Sequence, residues 1–586
     1  MMRKAARRKG GPPAVHPKAP SKQRIVVTIH SLPYELLSTV FKVVHYESAV
    51  VPREITPVTR AHPGTTYRFP SERGELCLQN FVVEPGFPWE APTCKKTDPK
   101  LVSISFPLNT LASVCREWRA VAQMLPEFWS RMDILIDEQK PTPLSHIRAQ
   151  ADRVPLHIPL NILVTRRDFP EGLRDEYKVD KNELKRESTR SKEVMEVLAP
   201  LIPKCISFVF LVLHSSSLPC ISQYFRGEAP NLCALKLKAM LDDKNFKLPP
   251  LPNIPAGEVF KFPRLTNLEL FGYTFMDTCR MMSWRTQIHE LSLDTVVISN
   301  FTAPPPPKDE DEEPAKESIW VQELIDGLSQ HISNIGYVRH LTLCDLTFPP
   351  LETVPFENPP RTEILPADNL TMDNIGESFI ERFFSNMGTS LCYFNLMESS
   401  ITAEGMPLVY HLHISNPPDG SFLGALSQFC GHRLDIFEYD DLTDKDLLTI
   451  ARSCEQLRRL YIMDCPKITV NGVKKMIELR EELVNKRRDG DKQAGGNRGG
   501  KDDFRMTEED DPGSDTVSFM EANRERDYVL AKKYYGYDGP NELYVPIHRL
   551  EVLDHPQELS AADRRWFKKK VRSFYWQTAV VEEIES

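Results

Sequence analysis

The chain has 586 residues, 41% hydrophobic and 26% charged, with a formal net charge of -9. That length supports two to four domains and a sizeable core, in a composition ordinary for a soluble protein. The acidic balance removes any bulk electrostatic case for nucleic acid, and no apolar run is long enough to cross a bilayer, the strongest being strand-length over 206–213.

In chain order, residues 1–24 read as a disordered tail. Its basic residues Arg3, Lys4, Arg7, Arg8 and Lys9 suit either nuclear import or simple solvation, and it lacks the apolar core of a signal peptide. Ser31 is placed to cap a helix with Pro33 in its first turn. Leu36, Leu37, Val40, Phe41 and Val44 then recur on one face. From about 50 to 107 no period is sustained, which predicts an insert, long for a structureless loop. A second helical stripe follows in Leu111, Val114, Cys115, Trp118, Val121 and Ala122; Pro126 ends it, and Phe128 and Trp129 lie beyond.

From about 206 the rhythm changes to short strand-like runs over 206–213, 235–237, 265–270, 288–293, 338–343, 391–396, 411–414, 434–437 and 457–462. Stretches at 318–331, 377–387 and 445–452 are able to form helices between them. Leu412, Ile436 and Leu460 recur at intervals of 24 residues, which predicts stacked strand–helix repeats of leucine-rich length. An ordinary α/β domain with unrelated strands is the other reading. Pro304–Pro307 with the acidic run 309–313 predicts a surface loop, and the Gly-, Asp- and Lys-rich stretch 487–512 a linker. Ser560-Ala561-Ala562-Asp563 resembles a capping box with Asp in place of Glu. It predicts a helix whose apolar side is Trp566, Phe567, Val571, Phe574 and Tyr575, packed over the open end of the repeats.

The 12 cysteines contain no CxxC pair, which points to buried free thiols in a reducing compartment. There is no P-loop, dinucleotide-type glycine pattern, HExxH or GxSxG motif. The chain therefore reads as non-catalytic, with no metal ligand and no cofactor expected. His411 and His413 alternate along one strand, and Asp440, Asp441 and Asp444 form an acidic group near a turn.

The split pattern, Leu32-Pro33-Tyr34-Glu35-Leu36-Leu37 with Phe41, then Val114-Cys115-Arg116-Glu117-Trp118 with Trp129, resembles fungal F-box proteins with leucine-rich repeats. Leu442, Cys454, Leu457, Leu460, Ile462, Cys465-Pro466 and Gly472 resemble the cysteine-containing repeat of that family. The resemblance implies an α/β fold: an N-terminal helical F-box module over 25–140, with its insert at about 50–107, then an irregular leucine-rich-repeat solenoid over 141–480. A disordered linker at 481–516 and a C-terminal helical segment at 517–586 complete this division.

It further implies that Leu32, Pro33, Leu36, Leu37, Phe41, Val114, Cys115, Trp118 and Trp129 bind a Skp-family adaptor and, through it, a cullin–RING ligase. Cys454 and Cys465 would be buried thiols. The function implied is a substrate-recognition subunit of an SCF-type E3 ubiquitin ligase, in the cytoplasm and/or nucleus, with no membrane partner. Strand alternation nominates Lys236, Lys238, Glu269, Asn395, His411, His413, Glu438 and Arg459 as contacts for an unknown protein substrate. The alternative is a leucine-rich-repeat scaffold that binds proteins without recruiting a ligase.

Overall fold

The computed structural model describes residues 33–49, 114–125, 130–136, 140–154, 158–166, 180–243, 260–279, 281–288, 291–302, 337–347, 364–365, 367–386, 388–403, 405–418, 420–495 and 545–579. The chain divides into two compact units, Met1–Val51 with Ser105–Phe128, and Pro52–Ile104 with Trp129–Ser586.

In the first unit, α1 (Tyr34–Ala49) and α2 (Arg116–Met124) carry the two helical stripes. Apolar residues three or four apart share a face, so Leu37, Phe41, Trp118 and Val121 are buried. Phe41 meets Trp118 edge-on with ring centroids 5.0 Å apart. Tyr34, Leu36, Val40, Val114 and Met124 are exposed. The expected cap Ser31, with Leu32 and Trp129, lies outside the described residues.

The second unit is built on one 15-stranded sheet in which every paired strand runs parallel. Its strands are β1 (Arg131–Leu135), β2 (Leu160–Thr165), β3 (Cys205–His214), β4 (Ala234–Leu241), β5 (Asn267–Phe271), β6 (Ser292–Thr302), β7 (Tyr337–Thr347), β8 (Ile364–Leu365), β9 (Ala367–Asp373), β10 (Gly388–Met397), β11 (Leu408–Ser415), β12 (Arg433–Phe437), β13 (Arg459–Met463), β14 (Arg549–His555) and β15 (Ser573–Thr578). Spatial order follows chain order, except that β8 pairs with β10 beside the main path.

The cause is visible in β4, where Leu235, Leu237 and Ala239 are buried and the residues between them are not. A period of two sends alternate side chains to opposite faces. In register, Leu235, Leu268, Val296, Leu341, Leu370, Phe394, Leu412, Leu434, Leu460 and Leu550 form one unbroken apolar row. Leu237, Leu270, Ile298, Leu343, Met372, Leu396, Ile414, Ile436, Ile462 and Val552 form the next. Burying each such side chain contributes roughly 1.5–3 kcal/mol before entropy is counted.

Parallel pairing requires each connection to return to the starting edge. Several returns carry helices, among them α3 (Leu144–Ala151), α4 (Lys181–Leu198), α5 (Gly272–Cys279), α6 (Met282–Ile288), α7 (Glu377–Asn386), α8 (Asp444–Ser453), α9 (Val470–Gly495) and α10 (Ala561–Lys570). They cover the apolar face: Phe384 of α7 meets Phe394 at 5.5 Å, and Phe567 of α10 stacks on Phe574 at 4.4 Å.

One rung of the sheet carries a shared left-handed corner, at the strand end in β9–β13 and inside the strand in β6, β7 and β14. Asn300, Asp345, Asn374, Glu398, Asn416, Glu438, Asp464 and Asp554 all have φ between 43° and 56°. Each follows the same rung of its strand, the row from Ser299 through Cys344, Asp373, Met397, Ser415, Phe437 and Met463 to Leu553. The left-handed turn aims the backbone N–H at the neighbouring strand, as in Asn374 to Met397 O at 2.9 Å and Glu438 to Met463 O at 3.0 Å. Asn and Asp tolerate this region best, which accounts for six of the eight positions.

This architecture overturns the expected helical F-box module followed by an irregular leucine-rich-repeat solenoid, and with it the resemblance to fungal F-box proteins. One large parallel sheet, held by long-range strand pairing, dominates the chain, and most of its helices are short. No constant strand–helix unit recurs: no described helix joins β10 to β11, whereas the 26-residue α9 follows β13. The 24-residue period fails in the register. Leu412 pairs with Leu434 and Leu434 with Leu460, while Ile436 belongs to the next row with Ile414 and Ile462. Apolar alternation does not distinguish a rung from the one two residues on, because both point inward. The ubiquitin-ligase function, and the leucine-rich-repeat scaffold kept as its alternative, both required that architecture and are set aside.

Other expectations shift locally. The strand expected at 288–293 begins only at Ser292, because Ile288 closes α6. The expected helix 318–331 lies outside the described residues. Helix α9 continues to Gly495, into the stretch read as a linker. Ser560 caps α10 as expected, accepting from the Asp563 N–H at 3.1 Å, but that helix stops at Lys570. Phe574 and Tyr575 then alternate along β15 instead of sharing a helical side.

Candidate binding face

Over β10–β15 the sheet's second face carries two polar rows, which follow from the same alternation. Across β10–β14 one row reads Tyr393, His411, Arg433, Arg459 and Arg549. Across β10–β15 the adjoining row reads Asn395, His413, Asp435, Tyr461, Glu551 and Tyr575. Strand neighbours stand about 4.8 Å apart, so these side chains meet directly.

Asp435 is the electrostatic centre. Its Oδ1 accepts from Arg433 Nε at 2.9 Å and its Oδ2 from the other guanidinium nitrogen at 2.9 Å. His411 Nε2 lies 2.7 Å from the same Oδ2. Burial would raise the Asp435 carboxyl, but the His411 and Arg433 contacts outweigh it and hold the group below the usual carboxylate range. Burial lowers His411 despite the pull of Asp435. It lowers His413 to about 4, with Asp435 opposing and His411 and Arg433 reinforcing the shift.

Rings and guanidinium groups lock the adjoining strands. Arg433 lies 4.7 Å and Arg549 5.7 Å from the centroid of the Tyr461 ring. Arg549 also donates to the Tyr461 hydroxyl at 3.1 Å and pairs with Glu551. Tyr393 meets His411 edge-on at 4.3 Å, and His413 stands 4.5 Å from Phe437. Tyr575 is half exposed at the β15 end.

The nominated contacts separate under this geometry. Lys236, Lys238 and Glu269 come together on β4 and β5, with Glu269 accepting from Lys236 Nζ at 3.3 Å and from Lys238. Burial pushes Lys238 well below the ordinary lysine value, and Lys236 adds to that shift. His411, His413 and Arg459 fall within the two polar rows, far along the sheet from that trio. Asn395 shares the row but is only 5% exposed, so it packs within the face. Glu438 follows the strand in the left-handed corner, at φ 51°, so strand alternation does not orient it. The first-unit residues Leu37, Phe41 and Trp118 are core, Cys115 is half-buried, and Pro33, Leu36 and Val114 are exposed. Their adaptor role rested on the resemblance and is not retained.

Sequence reasoning missed Tyr393, Arg433, Asp435, Tyr461, Arg549, Glu551 and Tyr575. The available signal was the triplet Arg-x-Asp, Arg-x-Tyr and Arg-x-Glu at 433–435, 459–461 and 549–551, two residues apart and hence on one face. It was hidden because β14 and β15 were not anticipated, and because the run at 434–437 began one residue late.

Among the described residues, no three His, Cys, Asp or Glu side chains converge in a way that could hold a metal ion. Nor is any described helix long and apolar enough to cross a membrane. No protein-family model matches the chain, and no curated protein matches it in sequence.

Proposed function

We propose that this chain is a non-catalytic binding protein whose polar sheet face, over β10–β15, captures an extended segment of a partner protein. The observation that carries this reading is the Arg433–Tyr461–Arg549 stack, with Tyr575 exposed beside it. Tyr and Arg dominate binding hot spots because they offer large contact area with a polar handle. Here Asp435 and Glu551 hold both guanidinium groups in place, so little side-chain entropy remains to be lost on binding. The reading needs no repeat architecture and no ligase.

A reducing compartment, cytoplasm and/or nucleus, belongs to the same reading; the ten described cysteines form no disulfide with one another. The test is selection of random linear peptides on the full chain, followed by titration against Tyr575→Ala. Selected peptides are expected to weaken about tenfold on the variant. Peptides indifferent to Tyr575 and recovered equally by a chain carrying Arg433→Gln would remove the face as the binding site.

A further inference from the structure

The polar face breaks its own pattern at one strand. In β12, Arg433 is followed two residues on by Asp435, which pairs with it at 2.9 Å. In β14, Arg549 is followed by Glu551, which pairs with it. Even the first strand repeats the device, with Arg131 Nε 2.9 Å from Asp133. Strand β13 lies between β12 and β14 and places Arg459 level with Arg433 and Arg549. Its residue two positions on is Tyr461, not an acid.

Arg459 is exposed, and no carboxylate among the described residues pairs with it. Three arginines therefore stand side by side on adjacent strands with two carboxylates between them. Like charges directly opposite across strands are destabilising. The local excess is one positive charge, on a chain whose total is -9. Arg433 and Arg549 stack on the Tyr461 ring and donate to Asp435 and Glu551, whereas Arg459 makes no such contact among the described residues.

We propose that Arg459 is the anion-reading position of this face, taking a carboxylate or phosphate oxygen carried by the captured segment. The inference rests on the peptide-binding reading of the face. An extended segment crossing β12–β14 would bring one anionic side chain over Arg459, where a planar guanidinium donates two parallel hydrogen bonds to such a group. The flanking arginines are held by Asp435 and Glu551 and do not compete for it.

The test uses peptides that bind the full chain in a Tyr575-dependent way. Each is synthesised with its acidic residue kept, replaced by the matching amide, or replaced by phosphoserine, and titrated against wild type and Arg459→Gln. The amide peptide is expected to bind wild type about tenfold more weakly, and the acid–amide difference to vanish on Arg459→Gln. Phosphoserine tighter than the acid assigns a phosphorylated segment; the reverse order assigns an acidic one. Inorganic phosphate alone, as competitor, is expected to displace neither peptide fully, since the segment supplies most of the contact. Peptides that need Tyr575 but ignore both the amide and Arg459→Gln would overturn the inference and leave the face reading standing. Loss of the Tyr575 dependence itself would instead remove that reading.

Discussion

Arg480 Nε donates to the carbonyl oxygen of Val545 at 3.1 Å, and through that bond α9 holds the segment that leads into β14. The same guanidinium donates to the carbonyls of Ala451 at 3.0 Å and Leu457 at 3.3 Å, and to that of Glu455. Its side chain is 1% exposed. It therefore satisfies the Ala451 carbonyl in the last turn of α8, which the helix itself cannot pair, and the Glu455 and Leu457 carbonyls of the turn that follows. Arg480→Met is expected to cost about 2–4 kcal/mol, because several buried acceptors lose their donor at once. Arg480→Lys should recover little, since an ammonium cannot span the fork. Urea unfolding measures both; a loss below about 0.5 kcal/mol for Arg480→Met would show that these bonds are dispensable.

Glu187 plays a comparable part under β3. Its Oε1 accepts from the Leu213 N–H at 2.8 Å, its Oε2 from the His214 N–H at 3.1 Å, and Arg166 lies 3.2 Å away. Burial would raise this carboxyl, but His214, Leu213 and Arg166 together hold it below the usual value. A depressed carboxyl contributes stability that is complete above its unfolded value, about 4.3, and is lost as pH falls through the folded one. Glu187→Gln is expected to cost about 1–3 kcal/mol at pH 7 and less in acid. Denaturation midpoints at pH 7 and in acid test this; an equal loss at both would refute the carboxylate's role.

His413 predicts a second pH dependence, in a higher window. Burial lowers it to about 4, and burial with Arg458 nearby lowers His432 to about 4. An unfolded histidine titrates near 6.5, so between about 6.5 and 4 the unfolded chain binds more protons. Stability present above that window is lost as pH falls through it. Thermal unfolding should therefore move to lower temperature between pH 7 and pH 5, with a smaller displacement in His413→Gln. An identical displacement in the variant would exclude His413 as a source.

Thiol reactivity separates the cysteines. Cys454 and Cys465 are buried, and burial pushes both thiols up to about 12, so almost no thiolate exists at neutral pH. Cys430 is exposed. A thiol-specific reagent is expected to label Cys430 promptly and Cys454 only at the rate of unfolding. Peptide mass mapping over time reads the difference; early labelling of Cys454 in the native chain would contradict its enclosure.

Sequence alone determined the inward side of most strands. Leu235-Lys236-Leu237-Lys238 and Tyr393-Phe394-Asn395-Leu396 declare a buried face by alternation, a local property of two-residue period. It determined the α10 start as well, because Ser560 and Asp563 make a cap from neighbouring residues. Tertiary structure decided the rest. Whether Leu434 or Ile436 lies beside Leu412 depends on pairing between strands, and both choices bury an apolar side chain. Strand β14 pairs with β13 although the two are far apart in sequence, and β15 then pairs with β14, which no local period announces. The polar cluster is likewise non-local: Arg433, Tyr461 and Arg549 become neighbours through register, and Arg459 stands out only because its flanking arginines have found their acids.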